Sequence, residues 1–188
     1  VNYMLQRFNE SFGAVDLFVV TGDHVAHWAE PEVGQINPLK YIEMKQNLAG
    51  TAALVRQHFP DTPVIFNIGN NDDRFHYQAA SESVKDNYYS FLWQTWFEEF
   101  PANERFITDD VADTFMYGGY YRFDVTNELS FLALNSMYWN KKNDKSNQLN
   151  EGEDEFEWLR EQFEEGRTSG RKFILSDHIY AGSRYEAD

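Results

Sequence analysis

Apolar residues recur at helical spacing in three segments of the chain, and a fourth segment is dense in aromatic residues. This pattern predicts amphipathic α-helices that each bury one stripe. The four predicted helices cover residues 2–12, 39–59, 87–100 and 153–165. In the last of them, Phe156, Leu159 and Phe163 form the stripe that we expect to face the core.

Short continuous runs of apolar residues lie between these helices and are typical of strands buried on both faces. Three such strands are predicted at residues 16–21, 63–68 and 172–176. Two further strands, at 118–125 and 129–135, are separated by three polar residues, which predicts a β-hairpin. Because strands alternate with helices, we expect a layered α/β fold, with residues 1–188 in a single domain.

A polar cluster follows each of the three buried strands. The clusters are TGDHVAH at residues 21–27, GNND at residues 69–72 and SDH at residues 176–178. Each cluster alone is more often a turn or a helix cap than a site. Ligands of such sheets bind beyond the carboxyl ends of the strands. Three clusters that combine carboxylate, amide and imidazole groups therefore predict a site for divalent metal ions.

The order of these motifs resembles the signature of the calcineurin-like metallophosphoesterases, which includes Gly-Asp, then Gly-Asn-His-Asp/Glu, then a later His. His27 follows Asp23 by four residues, as in the Gly-Asp-x-x-x-His form of the acid sphingomyelinase-like branch. The run FLALNSMYWN at residues 131–140 resembles another segment of that branch, and GNND also occurs in related endopolyphosphatases. The resemblance covers residues 15–182 and implies a layered α/β/β/α metallophosphoesterase sandwich, incomplete at both ends.

The resemblance also implies a metal centre of two divalent ions, for which Zn²⁺ is the expected metal. Asp23 would bridge the two ions, and Asn70 and His178 would both bind one of them. The family motifs Asp-x-His and Gly-His-x-His would lie before Val1 and after Asp188. We therefore expect the chain to be a central fragment that lacks four metal ligands and is inactive by itself.

Three further residues receive roles from the resemblance. His27 is the candidate general acid for the leaving group, and its alternative role is that of a packed or supporting histidine. Asn71 stands where many members have a protonating histidine, and we expect it to contact substrate. His76 is expected to line the substrate pocket or else to lie on the loop surface. His24 and His58 are expected to be structural.

Composition restricts the partners of the protein. The formal net charge of −15 argues against broad binding of nucleic acid or anionic membrane. No apolar stretch reaches the length of a transmembrane helix. The absence of cysteine favours a reducing compartment, whereas the resemblance implies a secreted protein or one of the lysosomal or vacuolar lumen. The triplet that starts at Asn9 would permit N-glycosylation.

The functional hypothesis is metal-dependent hydrolysis of a phosphodiester or phosphoanhydride in a small phosphate ester, a nucleotide or a lipid headgroup. An alternative within the enzymes is an endopolyphosphatase, although the acidic composition argues mildly against so anionic a polymer. An alternative of another class is an inactive family member that acts as a structural or binding subunit.

Overall fold

Helices and strands alternate along the chain in a computed structural model, which describes residues 1–27, 37–180 and 182. The α/β class predicted from the sequence is therefore confirmed. Within these residues the α-helices are α1 (Asn2–Phe12), α2 (Pro38–His58), α3 (Lys85–Trp93), α4 (Asp109–Gly118) and α5 (Glu151–Ser169). The strands are β1 (Phe18–Val20), β2 (Val64–Phe66), β3 (Tyr121–Asp124), β4 (Leu129–Ala133) and β5 (Lys172–Ser176).

The strands form two small sheets. Strands β1 and β2 pair in parallel, with Val19 opposite Ile65. In the second sheet β4 is central: it pairs antiparallel with β3 and parallel with β5. The predicted hairpin between β3 and β4 is confirmed. Its turn is closed by the hydroxyl of Thr126, which accepts the backbone N–H groups of Glu128 and Leu129.

Buried side chains join the two sheets near the carboxyl end of β2. The amide of Asn67 donates to the carbonyls of Leu134 and Ser176 at 3.2 and 2.8 Å, and it accepts the Ser176 hydroxyl at 2.5 Å. The Tyr121 hydroxyl accepts from the N–H of Phe66 and donates to its carbonyl, both at 2.9 Å. These contacts hold the carboxyl ends of β2, β4 and β5 together, where the polar clusters begin.

The segment after residue 84 is more interrupted than the sequence predicts. Helix α3 continues as a π-helix at Gln94–Glu98 and is followed by a 3-10 helix at Pro101–Phe106. Helix α4 was not predicted, although its signal is present. Thr108 caps it by accepting the N–H of Val111, and two aspartates occupy its first turn.

Aromatic side chains make up much of the core between the helices and the sheets. Trp96, Tyr88 and Phe115 have no exposed surface, and the rings of Trp96 and Phe66 are stacked at 5.2 Å. Stacked aromatic rings bury large areas and contribute beyond area alone. His24 of the first polar cluster packs against the same two rings.

Two strands expected to be buried on both faces are less covered than predicted. The side chains of Ile174 and Leu175 in β5 are 44% and 47% exposed, and the residues of β1 are half-buried. Pairing does not explain the difference, because in the described part of the chain β1, β2 and β5 each pair on one side only. Strand β2 is nevertheless fully buried, since the aromatic side chains of Trp96, Phe100 and Tyr121 pack against it.

Helix α5 turns a different face inward than its apolar stripe predicts. Phe156 and Phe163 are 49% and 45% exposed, and Leu159 is half-buried. The residues that α5 buries include Glu151 and Glu155. Glu151 binds the Lys85 ammonium group of α3, and one carboxyl oxygen of Glu155 accepts the backbone N–H of Asn135 after β4. The other oxygen of Glu155 is buried without a hydrogen-bond partner among the described residues. These long-range contacts, rather than periodicity, orient α5.

Two features raised by the sequence, a glycosylation triplet and membrane-spanning segments, can be compared with the structure. The side-chain nitrogen of Asn9, to which a glycan would be attached, lies in α1 and donates to the carbonyl of His58 at 2.9 Å. This hydrogen bond does not favour glycosylation of the folded protein. Within the described ranges, no helix combines the length and apolarity needed to cross a membrane. The secreted, lysosomal or vacuolar location stays a prediction.

Candidate metal centre and active site

The three polar clusters lie at one edge of the structure because β1, β2 and β5 end there. After β1 the chain turns sharply through two residues with positive φ, Gly22 at 89° and Asp23 at 54°. A positive φ is ordinary for glycine but uncommon for other residues, among which asparagine and aspartate tolerate it best. This turn directs the Asp23 side chain towards the loop that follows β2.

The three predicted metal ligands converge. His178 Nε2 lies 2.9 Å from Asn70 Oδ1 and 3.3 Å from Asp23 Oδ1. The Asn70 residue is 7% exposed, and the side chains of His178 and Asp23 are 17% and 30% exposed. The cluster is thus reachable from solvent at the Asp23 side and enclosed at the Asn70 side.

The tautomer of His178 follows from its second contact. Its Nδ1 lies 2.8 Å from the carbonyl of Thr21, which can only accept, so Nδ1 carries the hydrogen. In the neutral ring, Nε2 then presents a lone pair towards two oxygen atoms. Three electron-rich atoms facing one another repel each other, and a cation among them would relieve this repulsion. Fixing one ring nitrogen on a carbonyl is also how metal-binding histidines are oriented.

The amide of Asn70 is oriented by its nitrogen. Nδ2 donates to Asn71 Oδ1 at 2.8 Å and to His76 Nε2 at 3.0 Å, so both amide hydrogens are used. The carbonyl oxygen Oδ1 consequently points to His178. Hydrogen bonds within the loop therefore present the oxygen, which is the atom that a hard or borderline cation would bind.

Two glycines allow the loops to approach this closely. A Cβ atom added at Gly69 would lie 2.1 Å from the backbone nitrogen of Asp23 and 2.6 Å from its Oδ1. A Cβ at Gly22 would lie 2.8 Å from His178 Nδ1. Side chains at either position would push the candidate ligands apart, so both glycines are needed for the convergence.

Asn71 is enclosed by the site rather than open to solvent. It is 1% exposed, and its backbone N–H and its Nδ2 donate to the two oxygens of Asp23 at 3.1 and 3.0 Å. Asn71 therefore orients the Asp23 carboxylate. Its predicted contact with substrate stays a prediction.

His27 and His76 lie side by side. Their ring centroids are 5.7 Å apart, and the His76 ring lies 4.3 Å from that of Tyr77, whose φ is 61°. His27 is exposed, whereas His76 is half-buried and accepts the Asn70 amide through Nε2. The two histidines thus share one face beside the candidate metal centre. A catalytic role for His27 and a pocket role for His76 remain predictions.

The pair formed by His24 and Asp72 is a feature that the sequence did not reveal. Both side chains are fully buried, with His24 Nδ1 2.8 Å from Asp72 Oδ2. Burial alone would raise the pKa of Asp72, but the interaction with His24 and the N–H groups of Gly69 and Val25 hold that pKa below its ordinary value. Asp72 is therefore a buried carboxylate that remains ionised. The only sequence signal was its place in GNND.

The candidate centre contains fewer than three ligands of the carboxylate, imidazole or thiol type. Over residues 1–27, 37–180 and 182, the structure contains no group of three or more His, Cys, Asp or Glu residues that could hold a metal ion. Asp23 and His178 supply two such groups, and the third donor is the amide oxygen of Asn70.

Comparison with known proteins points to one family. The family model described as calcineurin-like phosphoesterase matches residues 2–187. Sphingomyelinase phosphodiesterase C of Dictyostelium discoideum is 24% identical over 92% of this chain and 35% of its own length. Endopolyphosphatase of Schizosaccharomyces pombe is 27% identical over 95% of this chain and 30% of its own length. Sphingomyelin phosphodiesterase 2 of Caenorhabditis elegans is 22% identical over 96% of this chain and 28% of its own length. The chain thus spans about a third of the length of these relatives.

Proposed function

Because the chain belongs to the calcineurin-like phosphoesterase family, we propose that it forms part of a metal-dependent hydrolase of phosphodiesters or phosphoanhydrides. The observation that carries this proposal is the convergence of three side chains: Asn70 Oδ1 and Asp23 Oδ1 lie 2.9 and 3.3 Å from His178 Nε2. The substrate class that we propose is a small phosphate ester, a nucleotide or a lipid headgroup.

The donor set fits divalent metal ions, with Zn²⁺ as the expected metal. A carboxylate, an amide oxygen and a neutral imidazole nitrogen are all ligands that such ions accept. Divalent ions, when bound, supply Lewis-acid activation of water and of the phosphoryl group. A two-metal centre needs more ligands than these three. We propose that further residues of the natural full-length protein supply them.

The chain's own residues would divide the remaining tasks. Asn71 orients the Asp23 carboxylate, and the Thr21 carbonyl fixes the ring of His178. We assign to His27 the protonation of the leaving group, because its ring is exposed beside His76 and imidazole is the side chain that most often serves as a general acid. His76 would border the substrate from the side of Asn70.

An endopolyphosphatase is a second candidate function, favoured by one specific contact. The ammonium of Lys142 lies 3.9 Å from the centre of the Tyr77 ring, and the Tyr77 ring in turn contacts the His76 ring at 4.3 Å. A fixed cation on this side of the site would attract an extended anionic chain and would repel a quaternary ammonium headgroup. The net charge of −15 acts in the opposite direction at longer range.

The two enzyme hypotheses can be separated with one substitution. Lys142→Gln should lower kcat/KM for inorganic polyphosphate by about 10-fold at low salt, where the charge is least screened. It should leave kcat/KM for a choline-containing phosphodiester unchanged or raised. Equal effects on both substrates would remove the support that Lys142 gives to the polyphosphate hypothesis.

The test of hydrolysis itself uses the natural full-length protein and two matched substitutions. Asp23→Asn should lower metal-dependent hydrolysis of a nitrophenyl phosphodiester by at least about 100-fold, because the amide removes a negative ligand. The control Asp16→Asn makes the same change at an exposed position just before β1, at the opposite end of that strand. It should retain activity within about twofold.

Other results would favour a different class of function. If the wild-type protein binds no metal and hydrolyses none of these substrates, the structural or binding subunit becomes the better hypothesis. Activity that survives both Asp23→Asn and a chelator would mean that the proposed centre is not the catalytic one.

A further inference from the structure

On the basis of the metal centre proposed above, we propose that the buried pair of His24 and Asp72 is a positioning device for that centre. The pair connects the loop after β1 with the loop after β2 and fixes the backbone that presents Asp23. Neither member is a candidate ligand, so both would act through the residues that they hold.

The carboxylate of Asp72 receives N–H groups from both loops. Oδ2 accepts from His24 Nδ1 and from the backbone of Gly69, both at 2.8 Å, and Oδ1 accepts the backbone N–H of Val25 at 3.1 Å. The side chains of His24 and Asp72 have no exposed surface. Charge-assisted hydrogen bonds in such a water-free place are stronger than neutral ones, so the carboxylate firmly joins the two loops.

The specific contribution of His24 is its Nδ1–H group. The ring packs beside the stacked rings of Phe66 and Trp96, with centroids 5.8 and 5.2 Å away. In the described structure its other nitrogen, Nε2, is buried without a hydrogen-bond partner. A phenyl ring would fill this space without that unsatisfied nitrogen. Packing alone therefore does not call for imidazole, whereas the hydrogen bond to Asp72 does.

The conformation of Asp23 explains why such a device is needed. Its φ of 54° lies in the left-handed region, which residues with a side chain keep only where their surroundings impose it. The two residues that follow Asp23 are the ones bound by Asp72. Without that restraint Asp23 can return to negative φ, and its carboxylate then moves away from His178.

The test compares two substitutions of His24 in the natural full-length protein. His24→Phe fills the aromatic space but cannot donate, whereas the amide nitrogen of His24→Asn lies close to the position of Nδ1 and can donate to Asp72. Zn²⁺ affinity is measured by competition with a chromophoric chelator, and the stability of the metal-free protein is measured by urea unfolding. We expect both variants to be less stable than wild type, because His24→Phe removes a hydrogen bond from the buried Asp72 carboxylate and His24→Asn leaves part of the aromatic space unfilled. His24→Phe should bind Zn²⁺ about 10- to 100-fold more weakly than wild type, whereas His24→Asn should bind within about threefold of wild type.

A matched control shows whether affinity merely follows stability. Lys85→Met breaks the ion pair of 2.8 Å between Lys85 and the buried Glu151, which joins α3 to α5 away from the loops that carry the candidate ligands. It should lower stability and leave Zn²⁺ affinity within about twofold. Weakened affinity in this control, as large as that of His24→Phe, would overturn the positioning role.

Two further outcomes distinguish the inference from the function on which it rests. If wild type binds Zn²⁺ with an affinity that Asp23→Asn lowers and His24→Phe leaves unchanged, that result would support the metal centre and refute the positioning role of the pair. If wild type shows no Zn²⁺ binding that depends on Asp23, the proposed metal centre and the role of the pair fall together.

Discussion

Asp73, next to the candidate centre, makes a quantitative prediction about stability. The residue is 3% exposed, and this burial raises the pKa of its carboxyl from 3.8 to about 7. The backbone N–H of Arg74 opposes the rise, and the charge of Asp72 adds to it. We expect the substitution Asp73→Asn, which cannot ionise and keeps the shape of the side chain, to stabilise the protein at neutral and alkaline pH.

The sign and size follow from the difference between the folded and unfolded pKa values. Because the folded pKa is raised, the contribution of Asp73 to stability is fully present below pH 3.8 and is lost as the pH rises through about 7. One pKa unit corresponds to about 1.4 kcal/mol, so the whole difference corresponds to about 4 kcal/mol. At pH 8 Asp73→Asn should therefore be more stable than wild type by up to about 4 kcal/mol, and at pH 4 the two should be nearly equal.

Urea unfolding from pH 4 to pH 8 checks this prediction, with a chelator present so that bound metal does not contribute. The control Asp61→Asn makes the same change at an exposed residue and should give a difference near zero at every pH. Subtracting the variant from wild type cancels the pH dependence of groups that do not interact with Asp73. A difference that does not vary with pH, or that favours wild type at pH 8, would refute the reasoning from burial.

Three other predictions test the site and its base. His27→Ala should lower turnover about 10²- to 10⁴-fold on substrates with poor leaving groups and much less on a nitrophenyl phosphodiester, with metal content unchanged, as steady-state kinetics and metal analysis will show; loss of metal would instead make His27 a ligand or its support. Asn67→Ala removes three buried hydrogen bonds and should cost about 2–4 kcal/mol in urea unfolding, and a cost below about 1 kcal/mol would mean that the sheets are joined otherwise. Burial raises the pKa of the Glu155 carboxyl well above 4.5, so the contribution of this group to stability is lost as the pH rises above 4.5, and the stability gained by Glu155→Gln relative to wild type should increase with pH in pH-resolved unfolding.

Much of the fold could be predicted from local sequence. Helix α1 has the bounds that its apolar spacing predicts, and β5 coincides with the run KFILS. The hairpin between β3 and β4 was predicted as well, because three polar residues separate two apolar runs. These features depend on periodicity and turn chemistry, which act over a few residues and are therefore written in the local sequence.

The orientation of α5 and the exposure of the edge strands depend on distant partners. Glu155 is buried where the backbone N–H of Asn135, which follows β4, donates to its carboxyl group at 2.7 Å. The periodicity of α5 favours the opposite face, with Phe156 inward. Hydrogen bonding across the fold decides between these two faces, and no local pattern reports it.

For the site, the sequence by itself determined which chemical groups end the strands: a carboxylate at Asp23, an amide at Asn70 and an imidazole at His178. Only the tertiary structure decided how those groups face one another, through the positive φ of Asp23 and the contact of His24 with Asp72. The physical reason is the separation along the sequence over which each kind of interaction acts. Residue type and turn propensity are local properties, whereas a hydrogen bond between residues 48 positions apart exists only after the two loops have been brought together.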